Sequence, residues 1–284
     1  MDCRIHLAQV EPTLGNLDKN LRDHLTEIQA AVEARAELVV FPELSLTGYF
    51  LKDQTAEVAL ALDAPPLRQL AERSKDISIA VGFAERAVDG RVYNSIAFLE
   101  DGRVLGVHRK VHLVHYGMFD EGRDFAAGES FVPIESRLGK FGFLICEDMW
   151  HLAASWIHFL AGVDAIVVPS SSPGRGVTEK EARLRSTQVW YTLQDALALF
   201  YQTWIVYVNR VGSEDGVCFS GGSRIVDPFG REIARLDGLE PGRLGATLTT
   251  DALNRARIST PLRRDEKPWI VQRALAPYGC ESGG

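Results

Sequence analysis

The sequence predicts a layered α/β fold, and two observations carry that prediction. Strand-like segments alternate along the chain with amphipathic helical segments, as in folds that cover a sheet with helices. Several of the strand-like segments are also continuous apolar runs of β-branched and aromatic residues, which is typical of strands buried on both faces. Because 284 residues suit one large α/β unit, we predict a single domain over residues 1–284.

The elements follow from these patterns in chain order. Strands are predicted at residues 5–10, 38–41, 77–83, 95–99, 104–108, 141–146, 165–169 and 204–209, and helices at 16–35, 65–75, 150–161 and 178–201. Asn16 suits the N-cap of the first helix, and an antiparallel pair is predicted near residues 92–108. Residues from about 255 to 284 are rich in Arg, so we expect either a packed extension or an arm that lies on a partner subunit.

Composition excludes several classes of function. The chain carries 31 Lys and Arg against 38 Asp and Glu, without basic runs, so we expect no nucleic-acid partner. Neither a secretory leader nor a run of roughly 18 apolar residues is present, so we expect no membrane contact and a cytoplasmic location. The cysteines form no C-x-x-C pair, which favours free thiols over a metal site or a disulfide framework; they are Cys3, Cys146, Cys218 and Cys280.

The first candidate for chemistry is Cys146, at the end of the apolar strand in GKFGFLICEDMWHLAASW. A helix is predicted a few residues later, so its unpaired N–H groups would favour a thiolate, and the N–H of Glu147 would be available to an oxyanion. The pattern equally fits a small buried core cysteine, because free cysteines usually serve packing. The local sequence leaves both interpretations open.

The second candidate is Glu43, which follows a buried strand in ELVVFPELSLTGY. Pro42 forces an extended or turn geometry on Phe41, so Glu43 is expected at the carboxyl end of the strand, where α/β folds place their sites. A carboxylate there suits a base with a shifted pKa. The alternative is a surface carboxylate or helix cap, because Glu is mostly exposed.

The third candidate is Lys110, at the end of a strand in GVHRKVHLVHYGMFDEGRDFAAGES. A lysine among apolar neighbours is costly unless an acid pairs with it, and Glu121 is the natural partner. The alternative is an edge strand on which His108, Lys110 and His112 extend to solvent.

Together these three segments resemble the Glu, Lys and Cys boxes of the nitrilase, or carbon-nitrogen hydrolase, superfamily. The resemblance rests on FPELSLTGY, HRKVHL and LICEDMWH in this order and extends from Ile5 to about Ile270. The strings YGMFDEGRDF and CEDMW resemble most closely the glutaminase-type domain of NAD synthetases. No synthetase module or phosphate loop follows, so we expect a standalone hydrolase.

The resemblance implies a four-layer α-β-β-α sandwich that pairs into a homodimer or higher homo-oligomer. It implies Cys146 as nucleophile, Glu43 as base, Lys110 as the cation that stabilises an oxyanion, and Glu121 as the acid that orients Lys110. The residues implied to line the substrate pocket are Tyr116, Phe119, Glu147, Trp150 and Ser172.

The implied reaction is thiol-dependent hydrolysis of a small carboxamide, either a simple amide or a glutamine-like ω-amide, through a Cys146 thioester. It needs neither a cofactor nor a metal. A nitrile or an N-carbamoyl amine would suit the same residues, and Arg175 is either a contact for a substrate carboxylate or a loop arginine in solvent. Other readings are a Cys-His pair that uses His112 or His151, and a catalytically idle binding or scaffold subunit. A serine hydrolase is disfavoured because the chain has no G-x-S-x-G motif.

Overall fold

The fold is that of a computed structural model, which describes residues 2–175 and 184–278. Its centre consists of two six-stranded sheets, with a two-stranded hairpin beside them. The strands are β1 (Asp2–Gln9), β2 (Leu38–Val40), β3 (Ser78–Arg86), β4 (Val92–Glu100), β5 (Arg103–Arg109), β6 (Ile134–Ser136), β7 (Gly139–Phe143), β8 (Ala165–Ser170), β9 (Trp204–Asn209), β10 (Ser213–Glu214), β11 (Val217–Cys218), β12 (Arg224–Val226), β13 (Glu232–Arg235) and β14 (Gly242–Thr249).

Both sheets have parallel centres and antiparallel edges. The first has the order β14-β1-β2-β3-β4-β5, and β1, β2 and β3 run parallel in it. The second has the order β13-β12-β9-β8-β7-β6, and β7, β8 and β9 run parallel in it. The predicted antiparallel pair near residues 92–108 is confirmed, because β4 pairs with β5 in that sense.

Helices cover the outer faces of the two sheets. They are α1 (Leu17–Glu33), α2 (Thr55–Val58), α3 (Pro65–Arg73), α4 (Glu121–Asp124), α5 (Leu152–Ala161), α6 (Arg185–Tyr201), α7 (Thr250–Ser259), α8 (Leu262–Asp265) and α9 (Pro268–Leu275). Asn16 caps α1, as predicted, since its side chain accepts a hydrogen bond from the N–H of Lys19. The predicted helix at 178–201 corresponds to α6 from Arg185 onward, and the start of that prediction lies outside the described residues.

Side-chain alternation along the strands builds the layers. Leu38 and Val40 of β2 point between the two sheets, where they share a core with Val167 of β8, while Val39 points outward. Across that inner core Phe98 of the first sheet stacks on Phe141 of the second, with ring centroids 5.6 Å apart. Each such fully buried apolar side chain contributes about 1.5–3 kcal/mol.

Two outer cores complete the sandwich. On the first sheet, outward residues of β2 and β3 pack against Ile28 of α1 and Leu70 of α3. On the second sheet, outward residues of β8 and β9 pack against Ala154 of α5 and Leu197 of α6. The predicted four-layer α-β-β-α sandwich is therefore confirmed.

The segment predicted as a C-terminal arm has two parts. Ala252, Leu253 and Ala256 of α7 are buried, and Leu253 belongs to the core between the sheets. In contrast, α9 buries none of its residues. Within the predicted segment, α7 therefore packs into the core, whereas α9 is exposed.

Within the described ranges, no helix combines the length and apolar character that crossing a bilayer requires.

Candidate active site

Four strands of the two sheets end around one cavity. Glu43 lies three residues after β2, Lys110 directly after β5, Cys146 three residues after β7, and Ser171 directly after β8. The carboxyl ends of parallel strands are where open α/β folds collect functional side chains. The fold therefore brings the Glu, Lys and Cys segments to one place.

Lys110 is fully buried between two carboxylates. Its Nζ donates to Oε1 of Glu43 at 2.8 Å and to Oε1 of Glu121 at 2.6 Å. Burial by itself lowers the pKa of Lys110, but the charges of Glu121 and Glu43 outweigh it and hold that pKa well above its usual value. Lys110 is therefore a fixed ammonium rather than a lysine that extends to solvent.

Glu43 is held on both carboxylate oxygens. Besides Lys110, the side-chain amide of Asn94 donates to Oε1 at 2.8 Å, and the backbone N–H of Ser171 donates to Oε2 at 2.7 Å. Burial raises the pKa of Glu43, with Glu121 adding to the rise and Lys110 opposing it. A carboxylate with a raised pKa, fixed in one rotamer, is suited to accept and return a proton.

The backbone around Glu43 needs a glycine on the neighbouring strand. A Cβ at Gly82 of β3 would lie 2.3 Å from the carbonyl oxygen of Pro42 and 2.6 Å from the nitrogen of Leu44. Such contacts force the backbone to move, so only glycine allows this close approach. Leu44 itself has a φ of 50°, so the turn after Glu43 is tight.

Glu121 opens α4 and is also held on both oxygens. Its Oε1 accepts from the hydroxyl of Tyr49 at 2.5 Å as well as from Lys110, and its Oε2 accepts from the N–H of Val114 at 2.8 Å. With these donors the carboxylate faces Lys110 in a single orientation. Sequence reasoning missed Tyr49, whose position six residues after Glu43 in the same loop was the available signal.

Cys146 begins a one-turn 3₁₀ helix, Cys146–Trp150, with a left-handed φ of 47°. Non-glycine residues rarely adopt this conformation, and where they do, the surrounding structure must hold them. The predicted strand to residue 146 ends instead at Phe143, because the chain turns out of the sheet to present the thiol to the cavity.

The expectation that helix N–H groups would favour a thiolate at Cys146 is wrong. Burial raises the pKa of the thiol well above its usual value, and Glu43 and Glu121 add to the rise while Lys110 opposes it. The resting sulfur is therefore a thiol, because two carboxylates and desolvation outweigh one ammonium. A nearby base is required before this sulfur can attack a carbonyl.

The cavity at Cys146 has a volume of about 340 Å³. All five residues predicted to line a pocket lie on its wall, and the remaining lining residues are Tyr49, Val114, Ser171, Pro173, Arg175, Arg185, Ser186, Val189 and Trp190. The hydroxyl of Ser172 is already engaged, since it accepts from Nε1 of Trp190 at 2.7 Å. Ser172 therefore forms part of the cavity wall, and its hydroxyl oxygen is already hydrogen-bonded within the protein.

Opposite charges face the cavity at its outer part. The hydroxyl of Tyr116 donates to Oε2 of Glu147 at 2.9 Å, which fixes an acidic group on one wall. The guanidinium of Arg175 lies 5.6 Å from the ring centre of Phe119 on the cavity wall. The cavity is thus apolar in its aromatic lining and carries one carboxylate, Glu147, and two guanidinium groups, those of Arg175 and Arg185.

The Cys-His alternative finds no geometric support. The rings of His112 and His151 stack on each other with centroids 3.6 Å apart, and His112 Nδ1 lies 3.0 Å from Oδ1 of Asp148. Neither ring lines the cavity that holds Cys146. Among residues 2–175 and 184–278, no group of three or more His, Cys, Asp and Glu side chains is arranged to hold a metal ion.

Comparison with known proteins decides the family. A carbon-nitrogen hydrolase family profile matches residues 4–258. This chain belongs to the carbon-nitrogen hydrolase family. The hydrolase is also similar in structure to a crystallised carbon-nitrogen hydrolase from Helicobacter pylori, with a TM-score of 0.87 at 24% identity over 97% of this chain and 99% of that one.

Two curated relatives of the hydrolase differ in length. It is 34% identical to a glutamine-dependent NAD(+) synthetase of Acinetobacter baylyi, over 80% of this chain and 40% of that protein. It is 31% identical to an (R)-stereoselective amidase of a Pseudomonas species, over 93% of this chain and 91% of that protein. The hydrolase chain thus spans less than half the length of the synthetase and nearly all of the amidase.

Proposed function

We propose that this carbon-nitrogen hydrolase cleaves the C–N bond of a small carboxamide through a thioester on Cys146, giving a carboxylic acid and ammonia. The observation that carries the proposal is the buried Lys110 ammonium, fixed between Glu43 and Glu121 beside the cavity that exposes Cys146. An amide needs an activated nucleophile, a stabilised oxyanion and a protonated leaving group, and this arrangement supplies all three.

In the first half of the reaction, Glu43 accepts the thiol proton as the sulfur of Cys146 bonds to the carbonyl carbon. The raised pKa of the thiol makes this transfer necessary, and the raised pKa of Glu43 favours it. Lys110 and the N–H of Glu147 stabilise the oxyanion, each such donor typically contributing about 3 kcal/mol. Glu43 then gives its proton to the nitrogen as the C–N bond breaks and ammonia leaves.

In the second half, Glu43 removes a proton from water as the water oxygen attacks the thioester carbonyl. The C–S bond breaks, the acid leaves, and the proton returns from Glu43 to the sulfur. Glu121 takes no proton in this scheme. Held by Tyr49 and Val114, it keeps Lys110 charged and aimed at the oxyanion.

The walls of the cavity favour an amide that carries its own charges. Glu147 suits an ammonium group and Arg175 suits a carboxylate, while Tyr116, Phe119 and Trp150 suit the carbon chain between them. A glutamine-like ω-amide combines these features at a size that fits about 340 Å³. The similarity to glutamine-dependent synthetases supports this substrate class.

Ammonia release from a panel of amides tests the proposal. The panel contains amides with two, one and no charged ends, together with one nitrile and one N-carbamoyl amine. We expect the wild-type chain to release ammonia fastest from the ω-amide, and Cys146→Ala to fall to the buffer rate. Cys218→Ala, which alters an exposed cysteine, is the matched control and should keep the wild-type rate. Equal ammonia release by wild type and Cys146→Ala would refute the catalytic role and favour a binding or scaffold subunit.

We further propose that the hydrolase forms a homodimer through its outer helices and α9. Trp269, Ile270 and Leu275 of α9 are each about half exposed, as are Leu199 and Phe200 of α6. Exposed apolar side chains in such numbers are typical of a surface that a partner covers.

Truncation after Glu266 tests this assembly because it removes α9 and leaves α7 in the core. We expect light scattering to show a dimer for the full chain and a monomer for the truncated chain, with a similar thermal midpoint for both. Truncation after Thr250 would also remove Leu253 from the core and would confuse unfolding with dissociation. A monodisperse dimer of the truncated chain would refute the role of α9.

A further inference from the structure

A single buried carboxylate joins two of the segments that build the site. Asp148 is fully buried, and its two oxygens receive five hydrogen-bond contacts. Buried carboxylates with this many donors are costly to place and strongly constrain the groups around them.

The donors to Oδ1 come from the residues that follow Lys110. The N–H groups of Val111 and His112 lie 3.1 Å and 2.9 Å away, and the ring Nδ1 of His112 lies 3.0 Å away. This oxygen therefore fixes the backbone on the carboxyl side of Lys110, where β5 has ended.

The donors to Oδ2 join the cysteine turn to the same strand. The N–H of Ile145, the residue before Cys146, lies 3.1 Å away, and Nε2 of His108 on β5 also lies 3.1 Å away. His108 and His112 thus flank Lys110 and converge on one acid, rather than extending to solvent as the edge-strand alternative held.

From this geometry we infer that Asp148 is a positioning residue, which sets the place of the Cys146 sulfur relative to the Lys110 ammonium by bonding the backbone beside each. The inference rests on the proposed function. Cys146 needs such support because its left-handed backbone conformation is unfavourable without it. Burial alone raises the pKa of Asp148, but hydrogen bonds from His108 and His112 hold it well below its usual range. The Asp148 carboxylate therefore stays charged.

Asp148→Asn replaces one of the two acceptor oxygens by an amide group and leaves the shape of the side chain unchanged. Asn keeps the most hydrogen bonds when its oxygen occupies the Oδ1 position, because three donors meet there and only two meet at Oδ2. Its amide group then faces His108, which can become an acceptor by changing tautomer, and the N–H of Ile145, which cannot. The substitution therefore releases the cysteine turn selectively.

Glu100→Gln is the matched control. Glu100 is also a buried carboxylate, and it accepts from the hydroxyls of Ser78 and Ser136 and from the N–H of Arg137. Glu100 is the last residue of β4, whereas the site lies near Asn94 at the other end of that strand. Both variants lose one buried acceptor, so a purely structural effect should be shared by the two.

The test measures kcat, KM and the thermal midpoint with the best amide found for the wild type. We expect Asp148→Asn to lower kcat about a hundredfold with KM within about threefold, because a misplaced reacting atom affects the reaction more than binding. Glu100→Gln should lose a similar amount of thermal stability and keep kcat. His112→Ala, which removes one donor at the half-exposed edge of the network, should lower kcat about fivefold.

A folded Asp148→Asn chain with kcat within about twofold of wild type would overturn the inference. So would an equal loss of kcat in Glu100→Gln. If Asp148→Asn does not fold, the kcat of His112→Ala is the deciding measurement. An unchanged kcat in that variant overturns the inference. A wild-type chain that releases no ammonia from any amide would instead contradict the proposed function.

Discussion

Glu43→Gln is expected to lower kcat about a thousandfold while the chain remains folded. The substituted side chain has the same shape, and its amide oxygen can still accept from Lys110 and Asn94. It cannot take a proton from the Cys146 thiol, whose raised pKa leaves almost none of it ionised at neutral pH. Steady-state kinetics with the preferred amide measure the loss, and it should affect both formation and hydrolysis of the thioester.

The rate of Cys146 alkylation gives a substrate-free check of the same prediction. Iodoacetamide should label Cys146 more slowly in Glu43→Gln than in wild type, because the thiol has lost its proton acceptor. Glu100→Gln again serves as the control and should be labelled at the wild-type rate. Retention of kcat within about tenfold by Glu43→Gln would remove Glu43 from the mechanism.

Lys110→Met is expected to abolish activity and to lower the free energy of unfolding by about 3–5 kcal/mol. Removal of the ammonium leaves Glu43 and Glu121 buried without the cation that each now bonds at 2.8 Å and 2.6 Å. Chemical denaturation measures the stability, and ammonia release measures the activity.

The stability of Lys110→Met should also depend on pH in a definite direction. Loss of the cation removes the main opposition to the rise that burial and the charge of Glu121 cause in the pKa of Glu43 in the folded chain. The folded state then binds more protons than the unfolded state, so the variant should gain stability relative to wild type as the pH is lowered from neutral. Lys110→Met with Glu121→Gln should recover part of the stability at neutral pH and none of the activity. A Lys110→Met chain as stable as wild type, with a stability that does not depend on pH, would contradict a charged Lys110 held between Glu43 and Glu121.

The layered fold was readable from the sequence because its signals are local. Continuous apolar runs marked the central strands, and periodic leucines marked α1. The edge strand β14 was missed because its pairing is long-range. The strand β14 joins β1 across the whole chain, pairing Asp2 with Thr249, and its sequence GRLGATLT shows no strong apolar run.

The site was readable only in part. Glu43, Lys110 and Cys146 each follow a strand, so their convergence could be predicted from the fold class. Asn94 and Ser171 could not, because they act on Glu43 through a side-chain amide and a backbone N–H that carry no motif of their own. Asp148 was hidden for a related reason, since four of its five contacts come from β5 and the residues just after it, 36 to 40 residues earlier.

The protonation of Cys146 shows where local reasoning fails. A strand-to-helix turn alone favours a thiolate, and that was the expectation. The outcome depends first on burial of the thiol and then on two carboxylates and one ammonium from distant segments, which together raise its pKa. Charges in a buried site can be added up only after the fold has brought them together.

The most direct test of the account is the mass of the enzyme quenched in acid during turnover of its preferred amide. We predict an increase equal to the acyl group of the substrate, located by peptide mapping to the peptide that contains Cys146 and absent from Cys146→Ala. An acyl adduct on any other residue, or undiminished turnover by Cys146→Ala, would contradict the account.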